Sequence, residues 1–562
     1  MKLIILRYIL PGFVVVAAIV VFIYYINLPQ QAIGNANYGG TLNISIKSEQ
    51  LTLFPLAAHT LDHHRIQQLV YEPLLQPTDT KKGWRYFLAK QIQVVDSGKK
   101  IIIQLRKNIH FSDNPCFRFH SSELSAEDVA FSLSLACSKN NMVTQDLILP
   151  EMIVGGMDFY GQKQDPLQSS LRGIRIIDNY TLEIALNGAY NHFLNVLSSP
   201  SLGILSKQAV KYYGNGIYSN PVGTGPFLFK KASKTNFTFT RNTNYWRQDR
   251  FGNRLPYLDE IHLKIGVPGQ DAHQLFLIDQ LDLLFDLPIE DLRGAFGTLY
   301  DAKRGKNPLH EIYIKPAAKV HYLQFNCTQP PFNNPKIRKA FALAIDANII
   351  CNSVLMGEGR ALNNLFIPYL DQSKNPYLQP DHRPLSERIM EAKSILQKEG
   401  YPSMQSFPKI NFYIGSKKNS VAYKWSEAIA QMLEHNLGVT IELSEKGSPL
   451  KMKPASIWRT GWIGDYPGSE SYLRLFYSRA QKEIYFKNRL VDSLYLASVF
   501  APSLSKKLSA QQQCEKAIID RQALLPVFTE DFIALYRIRV RNFELNESGL
   551  LDYAKVFVKE LH

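Results

Sequence analysis

The sequence predicts an α/β protein, β-rich in its first half and alternating strand with helix in its second, preceded by one N-terminal transmembrane or signal helix. Three observations predict it. Apolar residues alternate in short runs between residues 41 and 241, strand patterns and amphipathic helical patterns take turns between 320 and 462, and one unbroken apolar run lies near the start. The chain has 562 residues, of which 45% are hydrophobic and 20% charged. At roughly 100–200 residues per domain, this length implies several domains or one multi-lobed unit with a sizeable core. The composition excludes a disordered, collagenous or disulfide-dense chain. A polytopic transporter is excluded too, because only one segment is long and apolar enough to span a bilayer.

That segment is the 19-residue run from Tyr8 to Ile26, preceded by Lys2 and Arg7, with no charge between Arg7 and Lys47. Its length approaches the ~20 residues a helix needs to cross the hydrocarbon, and the basic flank orients the N-terminus to the cytoplasm. Residues 1–27 therefore read as a signal anchor or signal peptide, with Gly34-Asn35-Ala36 the best, weak cleavage signal. Residues 28–38 form a polar tether, which puts the body on the periplasmic or cell-surface side of the bacterial cytoplasmic membrane. No Cys follows the run, so a lipidation site is absent.

The folded part opens at Gly39-Gly40. Leu42, Ile44 and Ile46 alternate on one face of a strand from Thr41 to Lys47. Residues 61–75 show helical spacing that stops at Pro73. Lys99 to Leu105 and Ile109 to Phe111 are β-rich. Ser125 and Asp128 make a capping box for a helix burying Val129, Leu133, Ala136 and Cys137. Asp178-Asn179 turns a hairpin between 174–177 and 181–186. After the turn Pro221–Pro226, Phe227 and Phe229 face Phe237 and Phe239 across a second hairpin. Its alternation sends rings inward and charges outward, unlike a nucleic-acid strip. The second half brings a strand from Val320 and a helix capped by Asn334 with Pro335 at its first position, its stripe Ile337, Phe341, Ala344 and Ile345. A helix follows from Ser386 to Gly400, then a strand from Ile410. A helix presents Trp425, Ile429, Met432 and Leu433 and ends near Gly438. Strands at 439–443 and 455–462 complete the βαβ pattern.

The net charge is +15, or +13 without Lys2 and Arg7. It is spread in pairs such as Lys99-Lys100, with no block of five like charges, so a nucleic-acid partner is not expected. No P-loop, G-x-S-x-G or H-E-x-x-H motif occurs, and Gly223-Thr-Gly225 runs into Pro226 and a strand, so its phosphate-loop reading fails on context. An enzyme is therefore not expected. The cysteines, Cys116, Cys137, Cys327, Cys351 and Cys514, fit no zinc or redox spacing. Cys116 and Cys137 are candidates to pair in an oxidising compartment. His59, His63 and His64 beside Asp62 are the one ligand-like cluster, and a solvated helix start is the alternative to a metal site.

Seven segments, in order, resemble the family of extracytoplasmic solute-binding proteins that serve dipeptide and oligopeptide ABC importers. They are Gly39-Gly-Thr-Leu-Asn-Ile-Ser45, Leu69-Val-Tyr-Glu-Pro-Leu74, Leu105-Arg-Lys-Asn-Ile-His-Phe111 with Leu124-Ser-Ala-Glu-Asp-Val129, Pro221–Phe227 with Arg241–Trp246, Asn326–Asp346, Gly461-Trp-Ile-Gly-Asp-Tyr-Pro467 and Leu525-Pro-Val-Phe528. The resemblance implies a two-lobed periplasmic-binding-protein-like fold with a hinge and an additional small domain. It implies lobe I at 39–71, 206–309 and 522–562, the small domain at 72–205, and lobe II at 310–521. It also implies a short peptide ligand enclosed between the lobes, delivery to permease subunits in the cytoplasmic membrane, a monomeric state, and no cofactor or metal. Relatives that take nickel chelates, haem or sugars keep a non-peptide ligand as the alternative, for which the histidine cluster would matter.

The same resemblance points to a site. Asp465 matches the family's acid for the free α-ammonium of a peptide, where burial demands a charged partner; read alone, Gly-Asp-Tyr-Pro is an ordinary turn. Arg459 matches a family arginine, which would meet a peptide carboxylate or hold Asp465 in place. Backbone at Gly461 and Ile463 would hydrogen-bond a ligand lying alongside as an added strand. Trp462 would wall a side-chain pocket or serve as core. His59, Thr60 and Leu61 fall where the first lobe contributes across the cleft. There Leu53-Phe54-Pro55 departs from the family's common Leu-Asp-Pro.

Overall fold

The computed structural model describes residues 32–559, apart from 35, 51, 59, 79–82, 140–147, 287–309, 358, 366–374, 377, 379–380, 419, 446–455 and 481–484. The apolar run from Tyr8 to Ile26 and His59 lie outside the described residues. Among the described residues no helix is long and apolar enough to cross a membrane.

Gly39 and Gly40, at φ +105° and +82°, turn the chain into the strand Thr41–Ser45, whose Leu42 and Ile44 are fully buried. It pairs in parallel with Glu260–Lys264, residue for residue from Thr41–Glu260 to Ser45–Lys264. The aromatic hairpin Phe227–Ala232 and Asn236–Arg241 extends this sheet on the far side of Glu260–Lys264. As the alternation demands, Phe227 and Phe239 are buried. A separate four-stranded sheet is built from Ala89–Val95, Lys100–Leu105, Thr181–Ala185 and Ile174–Asp178. The helix Ala126–Ala136 joins the same core, and both bonds of its Ser125–Asp128 capping box are formed.

In the second half, Ile410–Tyr413 and Ile441–Ser444 run parallel, joined by the helix Val421–Leu437. That helix stops where Gly438 adopts φ +80°, a conformation glycine takes without a Cβ penalty. Lys319–Phe325 lies antiparallel to Ser456–Ile463 over seven paired residues. Both faces of this sheet are covered, so its strands are apolar on both sides. Leu323 and Phe325 pack with Trp425 and Phe528, whereas Val320 and Tyr322 pack with Tyr472 and Leu473.

One strand ties the two halves together. Leu524–Arg537 is 14 residues long. Its first part pairs with Lys319–Phe325, and its last part pairs with His310–Pro316 and Leu283–Phe285. The pattern around Leu525–Phe528 marks only its beginning. Three further expectations change. Ile109–Phe111 is not a strand: the pairing shrinks to a bridge between His110 and Glu123, because Asn108 at φ +59° and the 3-10 turn Pro115–Phe117 cut it short. The helix expected from residue 61 covers only Leu61–Gln67, and Leu75–Pro77 is already a strand. Cys116 and Cys137 do not pair: all five cysteines are free thiols, and burial pushes the Cys116 thiol up to about 11.

Candidate functional site

A cavity of about 430 Å³ lies where the two halves face each other. Thr60, Leu61, His64, Pro77 and Pro200 line it from the first half, with Ser548 and Leu550 from the chain's last segment. Lys319, His321, Arg459 and residues 461–467 line it from the second half. Its volume falls within the ~300–1,000 Å³ usual for enclosed small ligands. The halves are latched beside it. Asn195 Nδ2 donates to the Pro467 carbonyl at 2.6 Å and Asn191 Nδ2 to the Ser498 carbonyl at 2.9 Å. The Tyr190 and Phe500 rings meet at 4.7 Å.

The strand Ser456–Ile463 supplies the cavity's open edge. On the side away from Lys319–Phe325 it pairs with Ile410–Tyr413 only at Ser456, Ile457 and Trp458. From Arg459 to Ile463 that edge has no strand partner among the described residues. Unpaired backbone groups on a strand edge are a template for an extended segment. The expected roles of Gly461 and Ile463 thus fall on backbone that is free to take a ligand.

Just past this edge, the Asp465 backbone N–H donates to Ser471 Oγ at 2.9 Å, and the Gly464 N–H donates to the Tyr472 hydroxyl. A side chain at position 464 would sit 2.7 Å from Ser471 Oγ, so a glycine is needed for this turn to close. The Asp465 carboxyl lines the cavity. It takes no hydrogen bond or ion pair from the described residues. It is accessible to water inside the cleft yet closely surrounded by protein, and this desolvation raises its pKa to about 6 against the opposing charge of Arg474. The group is an acid with no direct ion pair among the described residues, with Arg474 its nearest opposing influence, facing the cavity.

Arg459 does not hold Asp465. Its Nε donates to the Ile414 carbonyl at 3.0 Å and its Nη2 to Ser416 Oγ at 3.0 Å, and the guanidinium lies 5.9 Å from the Trp425 ring. Trp462, half-buried, alternates to the opposite sheet face and packs with the cluster around Val320 and Tyr322 while also lining the cavity. Leu61 lines the cavity from the first turn of its helix, where the Thr60 hydroxyl accepts from the His63 N–H. Of the histidine cluster, His63 and His64 are among the described residues. His63 is buried, with Nε2 3.0 Å from the Gln50 carbonyl and 3.2 Å from Ser48 Oγ, while His64 lines the cavity. Among the described residues no group of three His, Cys, Asp or Glu side chains is placed to hold a metal.

Three residues of this region escape a reading of the sequence alone. Lys319 and His321 lie in the strand facing Arg459 and Gly461, on the same sheet face. Glu530, from the strand Leu524–Arg537, pairs with the Lys319 ammonium and lies 3.1 Å from His321 Nε2. Burial would raise the Glu530 pKa, but Lys319 and His321 outweigh it and hold the carboxyl far below the usual range. Burial also keeps the His321 pKa low, against the pull of Glu530. A larger recess of about 1030 Å³ opens elsewhere, among residues 33–36, 249–251 and 542–557. Two of its three acids are already used: Asp552 is clamped by Arg247 and Asp249 accepts from Tyr257 and Asn253, while the third, Glu544, is exposed. It offers no group comparable to Asp465.

Two halves joined by a shared strand and facing each other across a cavity are the arrangement of a capture protein. The chain belongs to the bacterial extracellular solute-binding proteins, family 5, whose model matches residues 84–483. It is accordingly a transport binding protein of the extracytoplasmic, periplasmic side rather than an enzyme, and its family works with ABC permease subunits in the membrane. It is 21% identical over 517 residues to the glutathione-binding protein GsiB of Salmonella typhimurium, covering 89% of this chain and 91% of that one. The fold is similar to that of the periplasmic binding protein DppA from Helicobacter pylori in complex with the peptide STSA. That match has a TM-score of 0.76 at 18% identity, over 93% of this chain and 99% of the other. It is also similar to the oligopeptide-binding protein AppA from Bacillus subtilis in complex with a nonapeptide, with a TM-score of 0.75 at 18% identity, over 95% and 100% of the two chains.

Proposed function

We propose that the solute is a short peptide, captured between the lobes and handed to the permease. The observation that carries this reading is the coincidence of a strand edge at 459–463, without a strand partner among the described residues, with the Asp465 carboxyl at its end, which takes no hydrogen bond or ion pair from them. The edge recognises peptide backbone without regard to side chains. Asp465 pairs with the free α-ammonium, which supplies both the missing charge and donors. Arg459 faces the ligand's carboxylate, Trp462 walls a side-chain pocket, and Thr60 and Leu61 close the cavity from the first lobe. The names of similar proteins support a peptide: one is a glutathione-binding protein and two were solved with peptides.

The two lobes and the small domain take the boundaries stated above, with the strand Leu524–Arg537 carrying the chain back into lobe I. The apolar run from Tyr8 to Ile26 holds the body at the outer face of the membrane or is removed as a signal peptide. Titration calorimetry with a neutral tripeptide such as Ala-Gly-Gly tests the reading. Saturable one-to-one binding is expected, and no heat at millimolar peptide would contradict it.

A further inference from the structure

The charges that line the cavity are unequal. Among the described lining residues Asp465 is the one acid, against two permanent cations, Lys319 and Arg459, and two histidines, His64 and His321. Glu530 is not among the lining residues; it pairs with Lys319 and lies 3.1 Å from His321 Nε2. Lys319 is thereby held in place while its side chain stays 30% exposed. His321, only 6% exposed, has an Nδ1 with no hydrogen-bond partner among the described residues. This nitrogen lies beside Gly461, where a Cβ would approach it to 3.4 Å, so the missing side chain leaves the histidine wall open at that point. Once a ligand ammonium meets Asp465 and one carboxylate meets Arg459, Lys319, its ammonium shared with Glu530, is the remaining cation on the cavity lining. Lys319 stands opposite Ile463 in the strand pair, two residues from Asp465, hence near the ligand's amino end.

We propose that Lys319, backed by His321 and Glu530, forms a second anion subsite that selects peptides carrying an additional carboxylate near their amino end. The subsite rests on the peptide reading above, since it counts from an ammonium at Asp465. Two chemistries place a carboxylate there: the side chain of a first-position Asp or Glu, and the α-carboxylate of a γ-linked glutamyl residue. Both meet Lys319 through a charge-assisted hydrogen bond. A basic side chain at the same position meets it with like charge.

Calorimetric titration of the full chain with Ala-Gly-Gly, Glu-Gly-Gly, γ-glutamyl-Gly-Gly and Lys-Gly-Gly tests this. At least one acidic peptide is expected to bind about tenfold or more tightly than Ala-Gly-Gly, with Lys-Gly-Gly the weakest. Which acidic peptide gains identifies the source of the carboxylate. In Lys319→Met the ratio of acidic-peptide to Ala-Gly-Gly affinity is expected to shrink to less than about threefold, and Lys319→Arg is expected to preserve the ranking. Equal affinities of all four peptides for the wild type would overturn the subsite, as would an undiminished acidic preference in Lys319→Met. The wild-type ranking decides even if that variant fails to fold. Failure of every peptide, Ala-Gly-Gly included, would instead overturn the peptide reading and the subsite with it.

Discussion

Glu72 and Asp465 are both carboxylates whose pKa is raised chiefly by desolvation, to about 7 for the buried Glu72 and about 6 for the water-accessible but closely surrounded Asp465. Their surroundings differ completely. Glu72 is 2% exposed and accepts from the Thr224 hydroxyl at 2.9 Å, the Tyr245 hydroxyl at 2.6 Å and the Trp246 indole N–H at 2.9 Å. These donors come from the turn and the loop that flank the aromatic hairpin, so Glu72 ties three segments of the first half together. Asp465 accepts nothing from the described residues and faces a cavity. A raised pKa therefore marks both a finished structural network and an unfinished binding site; what separates them is whether the partners are already in the protein.

The comparison breaks first at Glu72. Glu72→Ala leaves three buried donors without an acceptor, and a loss of roughly 3–5 kcal/mol of stability is expected, measured by urea unfolding, with peptide affinity of the folded protein unchanged. Asp465→Asn is expected to do the reverse. Peptide affinity falls about 100-fold, the effect of removing one partner of an enclosed charge pair, while the unfolding midpoint holds or rises slightly because an uncompensated charge has gone.

The pH dependence sharpens the distinction. Between pH 7.5 and 5, Asp465 passes through its pKa of about 6 and becomes neutral, while a peptide ammonium, with a pKa of ~7.7–8.0, stays charged. Affinity of the wild type should fall by up to about tenfold as the pH drops, because only the ionised acid attracts the ligand. Glu72 titrates in the wild type and in Asp465→Asn alike, so a flat profile for the variant isolates Asp465. Arg459→Met should weaken free-acid peptides by roughly fivefold and leave their C-terminal amides unaffected, because the arginine is partly solvated. The smallest effect belongs to the latch. Asn195→Ala removes one hydrogen bond across the halves and should speed peptide release about threefold in stopped-flow measurements.

Much of this architecture is legible from local pattern. The capping box at Ser125, the Asn334–Pro335 helix start and the stop at Gly438 are each decided within a few residues, so short-range chemistry is enough to find them. The site is legible only in part. Asp465 within Gly-Asp-Tyr-Pro reads as a turn unless the surrounding motif is matched to a family. Lys319, His321 and Glu530 are hidden for another reason: Lys319 and Glu530 are 211 residues apart, and only the pairing of three strands brings them to one wall. His63 is the converse case. Its spacing looks like a metal ligand, but Ser48 and Gln50 beside its ring nitrogen show it to be structural.

The account turns on the charge relation between Asp465 and the amino end of the ligand. The most direct test is the affinity of the wild-type protein for one tripeptide and for its N-acetylated form at pH 7.5. Acetylation removes the ammonium and changes little else, so a loss of about 100-fold or more is expected. Equal affinities for the two forms would contradict the central claim.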